Sequence, residues 1–138
     1  MSEMQGNVAL ITGATSGIVQ ATALKFAAEG VKVALVARHQ DKLAEQARAI
    51  EADGGEAKAI AADVTNEEDI KRVVRETVAT FGGIDVLVNA AGIIATGTIE
   101  TTKLDDWDYM MNINVRAPFY LMHLAMPYLV ERQGNVVN

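Results

Sequence analysis

The chain has 138 residues, 50% of them hydrophobic and 22% charged, a composition that builds a buried core and excludes a disordered segment. Its formal net charge of −6, with acids and bases interspersed, argues against a nucleic-acid partner, which would call for a basic face. It contains no cysteine, which excludes disulfides, thiolate metal sites and a cysteine nucleophile.

Residues 1–6 are polar and lack the basic flank and apolar stretch of a signal peptide, and no apolar run approaches membrane-spanning length. A soluble, cytoplasmic protein is expected. Val8 to Thr12 (VALIT) is a continuous apolar run, as in a strand buried on both faces. A glycine turn follows, then a helix over residues 18–29 closed by Gly30, and a second valine-rich strand from Lys32 to Ala37. Asp41 is placed to cap a second helix that presents Leu43, Ala47 and Ile50 on one face and ends at Gly54 and Gly55. Residues 57–62 make a weak third strand.

Thr65 and Glu68 have the spacing of a capping box, and the helix behind them buries Ile70, Val73, Val74, Thr77, Val78 and Phe81 at helical spacing. Residues 85–89 form a fourth strand, and a loop rich in Gly and Thr runs over 92–102. Helical sequence then extends from about 104 to 132, with Pro118 and Pro127 starting or kinking turns. Val115, Phe119, Met122, Met126 and Leu129 form a seam along it, suited to packing on another helix or to ordinary core. Residues 135–138 open a fifth strand. Strands alternating with helices predict a parallel sheet covered on both faces. No repeat, low-complexity tract or linker divides the chain, so residues 1–138 read as one domain.

The strongest chemical signal is Thr12-Gly13-Ala14-Thr15-Ser16-Gly17-Ile18, at the handover from first strand to first helix. Glycines there let the backbone turn tightly and approach a pyrophosphate, whose charge meets free amides at the helix start. A plain βα turn is the alternative. At the end of the second strand, a dinucleotide domain usually carries an acid for the ribose 2′-hydroxyl or an arginine for a 2′-phosphate. This chain reads Ala37-Arg38 with no carboxylate, which favours NADP(H) over NAD(H), against the alternative of a solvated surface arginine.

Together with Asp63-Val64, Asn89-Ala90-Ala91-Gly92 and Asn112-Ile113-Asn114-Val115, the glycine turn resembles the successive motifs of the short-chain dehydrogenases/reductases. The resemblance covers the whole chain. It implies a three-layer doubly wound Rossmann fold of strand order 3-2-1-4-5 and hydride transfer between a nicotinamide and an alcohol or carbonyl. It further implies that Gly13 and Gly17 line the pyrophosphate and ribose, with Ser16 and Ile18 nearby. By the same resemblance Asp63 bonds the adenine amino group, assisted by the Val64 amide, and Asn89, Ala90 and Gly92 pass beside the riboses. Asn114 corresponds to the family's active-site asparagine, which helps to orient a water beside the catalytic lysine.

Two departures stand out. Val19 occupies the third glycine of the family's TGxxxGxG motif, a place of close helix–strand packing. Overpacking there costs on the order of 1–3 kcal/mol, which would weaken cofactor binding roughly ten- to a hundredfold if all of it fell on binding. Further, the family's catalytic serine and Tyr-x-x-x-Lys lie beyond a fifth strand, and no Tyr-x-x-x-Lys occurs here. Tyr128 and Arg132 share that spacing but precede the fifth strand, and arginine does not readily release its proton.

His39 and His123 have no second histidine at metal spacing, so no metal site is expected. Trp107, among Asp105, Asp106 and Asp108, reads as a helix-packing aromatic. The expectation is a C-terminally truncated cofactor-binding part of an oxidoreductase, catalytically inactive alone. Its partners would be a nicotinamide dinucleotide and, in a full-length parent, a small carbonyl or alcohol. An uncovered fifth strand would favour a homo-oligomer. The rival expectation is a shortened or engineered Rossmann module acting in assembly without nucleotide.

Overall fold

Apolar residues at every position of a strand need cover on both of its faces, and the first two strands receive it. The computed structural model describes residues 3–138. In it β1 (Val8–Thr12) and β2 (Lys32–Ala37) pair in parallel, with Leu10 opposite Ala34 and Ile11 opposite Leu35. β3 (Ala57–Ala61) adds to β2, β4 (Val86–Val88) to the other side of β1, and β5 (Asn135–Val137) to β4. The sheet order is therefore β3-β2-β1-β4-β5, all parallel, as expected.

Side chains alternate across each strand and divide the core in two. Ala9, Ile11, Val33 and Leu35 pack on one face with Ala23 of α1 (Gly17–Ala28) and with Leu43, Ala47 and Ile50 of α2 (Gln40–Ala52). Leu10, Ala34, Val36 and Ile60 pack on the other with Ile70, Val73 and Val74 of α3 (Glu67–Phe81) and with Leu121, Ala125 and Leu129 of α5 (Ala117–Arg132). These are the three layers of a Rossmann fold. The chain winds outward from β1 to β3, then crosses to β4 on the other side of β1. The carboxyl ends of β1 and β4 thus flank a topological switch point, where this architecture leaves a crevice.

Local details differ from the sequence expectations in four places. Asp41 lies inside the first turn of α2, and His39 takes the N-cap position. The cap of α3 is Asn66, whose side chain accepts from the Asp69 amide at 3.0 Å. Thr65 instead turns its hydroxyl to Asp63, so the Thr65–Glu68 capping box does not form. The third difference lies in the helical stretch, which is α4 (Leu104–Met111), a π-helical turn at Asn112–Arg116, and α5.

On α5 the buried stripe is Ala117, Leu121, Ala125 and Leu129, at spacing four. Of the predicted seam, Leu129 is buried and Met122 half-buried, whereas Val115, Phe119 and Met126 are exposed. Small alanines let α5 lie close to the core, and the bulkier apolar side chains point away. Pro118 sits in the first turn of α5, where its missing N–H costs no bond, and Pro127 lies within the helix. The fourth difference is Trp107, which is about half exposed on α4 rather than packed. None of the described helices is long and apolar enough to cross a membrane.

Candidate functional site

Gly13, the first residue after β1, has φ +68°, a conformation that L side chains rarely adopt. A Cβ there would lie 2.8 Å from the Ala90 carbonyl oxygen, so β1 and the segment after β4 touch backbone to backbone. Thr12 joins the same two segments. Its hydroxyl accepts from the amides of Ala90 and Ala91, both at 3.1 Å. The turn and the post-β4 segment are thereby held as two walls of one crevice.

Along that crevice lies a solvent-open cleft of about 280 Å³. Its floor comes from Gly13 and Val36, one wall from Ala37, Arg38 and His39, and the other from Ala90 to Ile93. Asp63 and Val64 line it beyond β3, and Ile113 enters it from the turn at Asn112–Arg116. The cleft therefore gathers Gly13, Ser16, Arg38, Asp63, Val64, Ala90 and Gly92 from four separate stretches of sequence. Asn89 and Asn114 stand just behind its wall. Gly17 begins α1 with open space at its Cα, and Ile18 is 86% exposed and does not line the cleft.

The helix start is suited to an anion. Ser16 is the N-cap of α1, but its hydroxyl donates to the Gly13 carbonyl at 3.1 Å and caps no amide. The first turn of α1 holds no acid, whereas those of α2, α3 and α4 each do. Its unpaired amides and the positive end of the helix dipole are left for a negative group. Val19, on the same turn, is half-buried and packs against the cluster that contains Ala14 and Ala23.

At the far end, Asp63 Oδ1 accepts from the Thr65 hydroxyl at 2.7 Å and the Thr65 amide at 2.9 Å. These two bonds, the hydroxyl first, hold the Asp63 carboxyl below the usual aspartate range, against slight desolvation and with help from Arg38. Both bonds fall on Oδ1, which leaves Oδ2 available as an acceptor. Arg38 extends over the outer wall and donates from Nη1 to the Tyr109 hydroxyl on α4 at 3.3 Å.

Behind the wall, Asn114 lies within the π-helical turn, and its amide accepts from the Ile93 N–H and donates to the Ile93 carbonyl. Asn89 donates from Nδ2 to Asn138 Oδ1 at 2.8 Å and joins β4 to the end of β5. The sequence reading did not single out Thr12 as a bridge, nor Thr15, His39, Ile93 and Ile113 as lining residues. Ile113 sits beside Asn114 in the Asn112-Ile113-Asn114-Val115 motif, but only the fold brings it to the cleft.

The profile of the short chain dehydrogenase family matches residues 7–138. This chain belongs to the short-chain dehydrogenase family. An uncharacterized oxidoreductase of Thermotoga maritima is 43% identical over 133 residues, covering 96% of this chain and 52% of that protein. A 3-ketoacyl-ACP reductase of Sinorhizobium meliloti, 42% identical, superposes with a TM-score of 0.90 over 94% of this chain and 51% of that one. A metagenomic short-chain oxidoreductase solved in complex with NADP is 36% identical, with a TM-score of 0.89 over 96% of this chain and 61% of its own. The chain thus spans about half the length of the short-chain dehydrogenase relatives it matches.

Proposed function

We propose that this chain is the NADP(H)-binding part of a short-chain dehydrogenase. The observation that carries the reading is the cleft at the switch point. It has an acid-free helix start at one end, a carboxylate acceptor at the other, and Arg38 where an NAD-type acid would stand. The relative solved with NADP supports it.

The residues fit the dinucleotide. Gly13 makes the tight turn beside the pyrophosphate, which a Cβ striking Ala90 would block, and the α1 amides at Gly17 and Ile18 neutralise the pyrophosphate, with Ser16 holding the turn. Arg38 grips the 2′-phosphate through its planar fork. Asp63 accepts from the adenine amino group beside the Val64 amide. Asn89, Ala90 and Gly92 pass along the riboses, and Asn114 secures that wall while standing as the active-site asparagine.

When bound, the dinucleotide supplies a hydride to, or accepts one from, a small carbonyl or alcohol compound in the complete enzyme. Reducing a carbonyl also needs a proton donor. The 138 residues hold no Tyr-x-x-x-Lys, so they bind and orient but do not turn over substrate. A cytoplasmic location, where NADPH is available, goes with this reading.

Titrating the protein with NADPH and NADH by nicotinamide fluorescence tests it. Saturable binding that favours NADPH is expected, with no carbonyl-dependent NADPH oxidation above a protein-free control. Equal or absent binding overturns the cofactor assignment, and steady oxidation overturns the inactivity. A second reading, an assembly module without nucleotide, draws on the exposed Val115, Phe119 and Val130 of the π-helical turn and α5. Both readings predict a homo-oligomer, and only the second predicts no saturation by either dinucleotide.

A further inference from the structure

Tyr109 belongs to none of the motifs of the glycine turn, the strand ends or the asparagine turn. It stands on α4, four residues before Ile113, which is buried and lines the cleft. Its hydroxyl accepts from Arg38 Nη1 across 71 residues of sequence, so α4 and the tip of β2 meet over the outer rim of the cleft. We propose that Tyr109 is a positioning residue for Arg38 and sets the preference for a 2′-phosphorylated dinucleotide from α4. The inference rests on the reading of Arg38 as the phosphate-binding residue.

The physical argument concerns a long side chain. An exposed arginine has many rotamers, and fixing it on a phosphate loses that freedom at the moment of binding. A tyrosine is stiff, with two side-chain torsions, and a bond to its hydroxyl holds the guanidinium over the cleft beforehand. The guanidinium has five N–H donors in one plane, so a bond from Nη1 to Tyr109 leaves others for phosphate oxygens. The Tyr109 hydroxyl is also neutral, and it positions the cation without offsetting the charge that a phosphate needs. A carboxylate in its place would compete with the phosphate.

The test is a double-mutant cycle on the full chain with Tyr109→Phe, Arg38→Ala and the pair, each titrated with NADPH and with NADH. Tyr109→Phe keeps the ring and removes only the hydroxyl of a partly exposed residue, and an unchanged thermal midpoint verifies the fold. We expect it to weaken NADPH binding about three- to tenfold and to leave NADH within about twofold, as loss of one ordering hydrogen bond implies. In the Arg38→Ala background the hydroxyl should have no further effect. An unchanged NADPH-to-NADH ratio in Tyr109→Phe overturns the proposal, as does an equal loss with and without Arg38. Tighter NADPH binding also overturns it, because Tyr109 would then be a competitor for Arg38. If Arg38→Ala itself leaves the ratio unchanged, the phosphate assignment fails, and the role of Tyr109 falls with it.

Discussion

Asn114 holds the backbone of Ile93 at both ends of its amide: Oδ1 accepts from the Ile93 N–H at 3.0 Å, and Nδ2 donates to the Ile93 carbonyl at 2.7 Å. The pair is 21 residues apart and joins the π-helical turn to the segment that walls the cleft. A Cβ on the neighbouring Gly92 would approach Asn114 Oδ1 to 3.1 Å, so the glycine leaves room for this clamp. Asn114→Ala removes two neutral, exposed hydrogen bonds. Stability should fall by about 1–2 kcal/mol. NADPH affinity should fall several-fold, because residues 90–93 are no longer held against the cleft. Denaturant unfolding and fluorescence titration read the two effects separately; unchanged affinity would show that Thr12 alone fixes the wall.

Asp85 stabilises the other end of the sheet. Its carboxylate accepts from the Val8 amide at 2.7 Å and from Arg132 Nη1 at 3.1 Å, and it is 8% exposed. One side chain thus ties β1 to the last turn of α5. Asp85→Ala leaves a buried amide without its charged acceptor and should cost about 2–4 kcal/mol. Arg132→Ala should cost less, about 1 kcal/mol, because Arg132 is partly exposed and Asp85 keeps its bond to Val8. Urea midpoints of the two variants decide the order, and equal losses would contradict it.

Val19→Gly should move stability and binding in opposite directions. The valine packs half-buried against the core, and glycine is a poorer helix former than valine by a few tenths of a kcal/mol, so with the lost burial the fold should weaken by about 1–2 kcal/mol. Relief of crowding at the α1 start should tighten NADPH binding, by roughly tenfold or more if the strain falls on the pyrophosphate site. Thermal unfolding and NADPH titration of the same preparation test both signs. Equal affinity before and after the change would refute the crowding.

Asp63 gives a pH dependence of known sign. Its folded-state pKa lies below its ordinary value, chiefly through the Thr65 hydroxyl and then the Thr65 amide. A depressed carboxylate contributes stability that is present above the ordinary aspartate range and lost as pH falls through the lowered value. Cofactor affinity should therefore show no Asp63 titration between about pH 5 and 7. Thr65→Val removes the larger cause and should raise the Asp63 pKa toward its ordinary value, as carboxyl carbon NMR would measure. An unmoved pKa would mean that the hydroxyl is not the cause.

Much of the site was legible in sequence because it is local. Gly13, Ser16 and Gly17 announce the strand–turn–helix junction by spacing alone, and Arg38 and Asp63 fall where strands end. Tyr109 was not legible, since its partner lies 71 residues away and nothing in the surrounding residues marks it. Thr12 was visible only as the first letter of a motif, and its hydroxyl bridge to Ala90 and Ala91 needs β1 and β4 to be neighbours.

What the sequence by itself determined were the strands, the helices and their alternation. Continuous apolar runs can be satisfied only between two covering layers, and β1 and β2 fall on the predicted residues. Tertiary structure alone decided the cap of α3, where Asn66 and Thr65 compete one residue apart and Asp63 draws the threonine away. It also decided the buried face of α5. The π-helical turn at Asn112–Arg116 shifts the phase of the residues that follow, and close packing admits Ala117 and Ala125 where hydrophobicity would place Phe119 and Met126. Periodicity in a sequence assumes a regular helix and rewards size, whereas a close-packed interior selects shape.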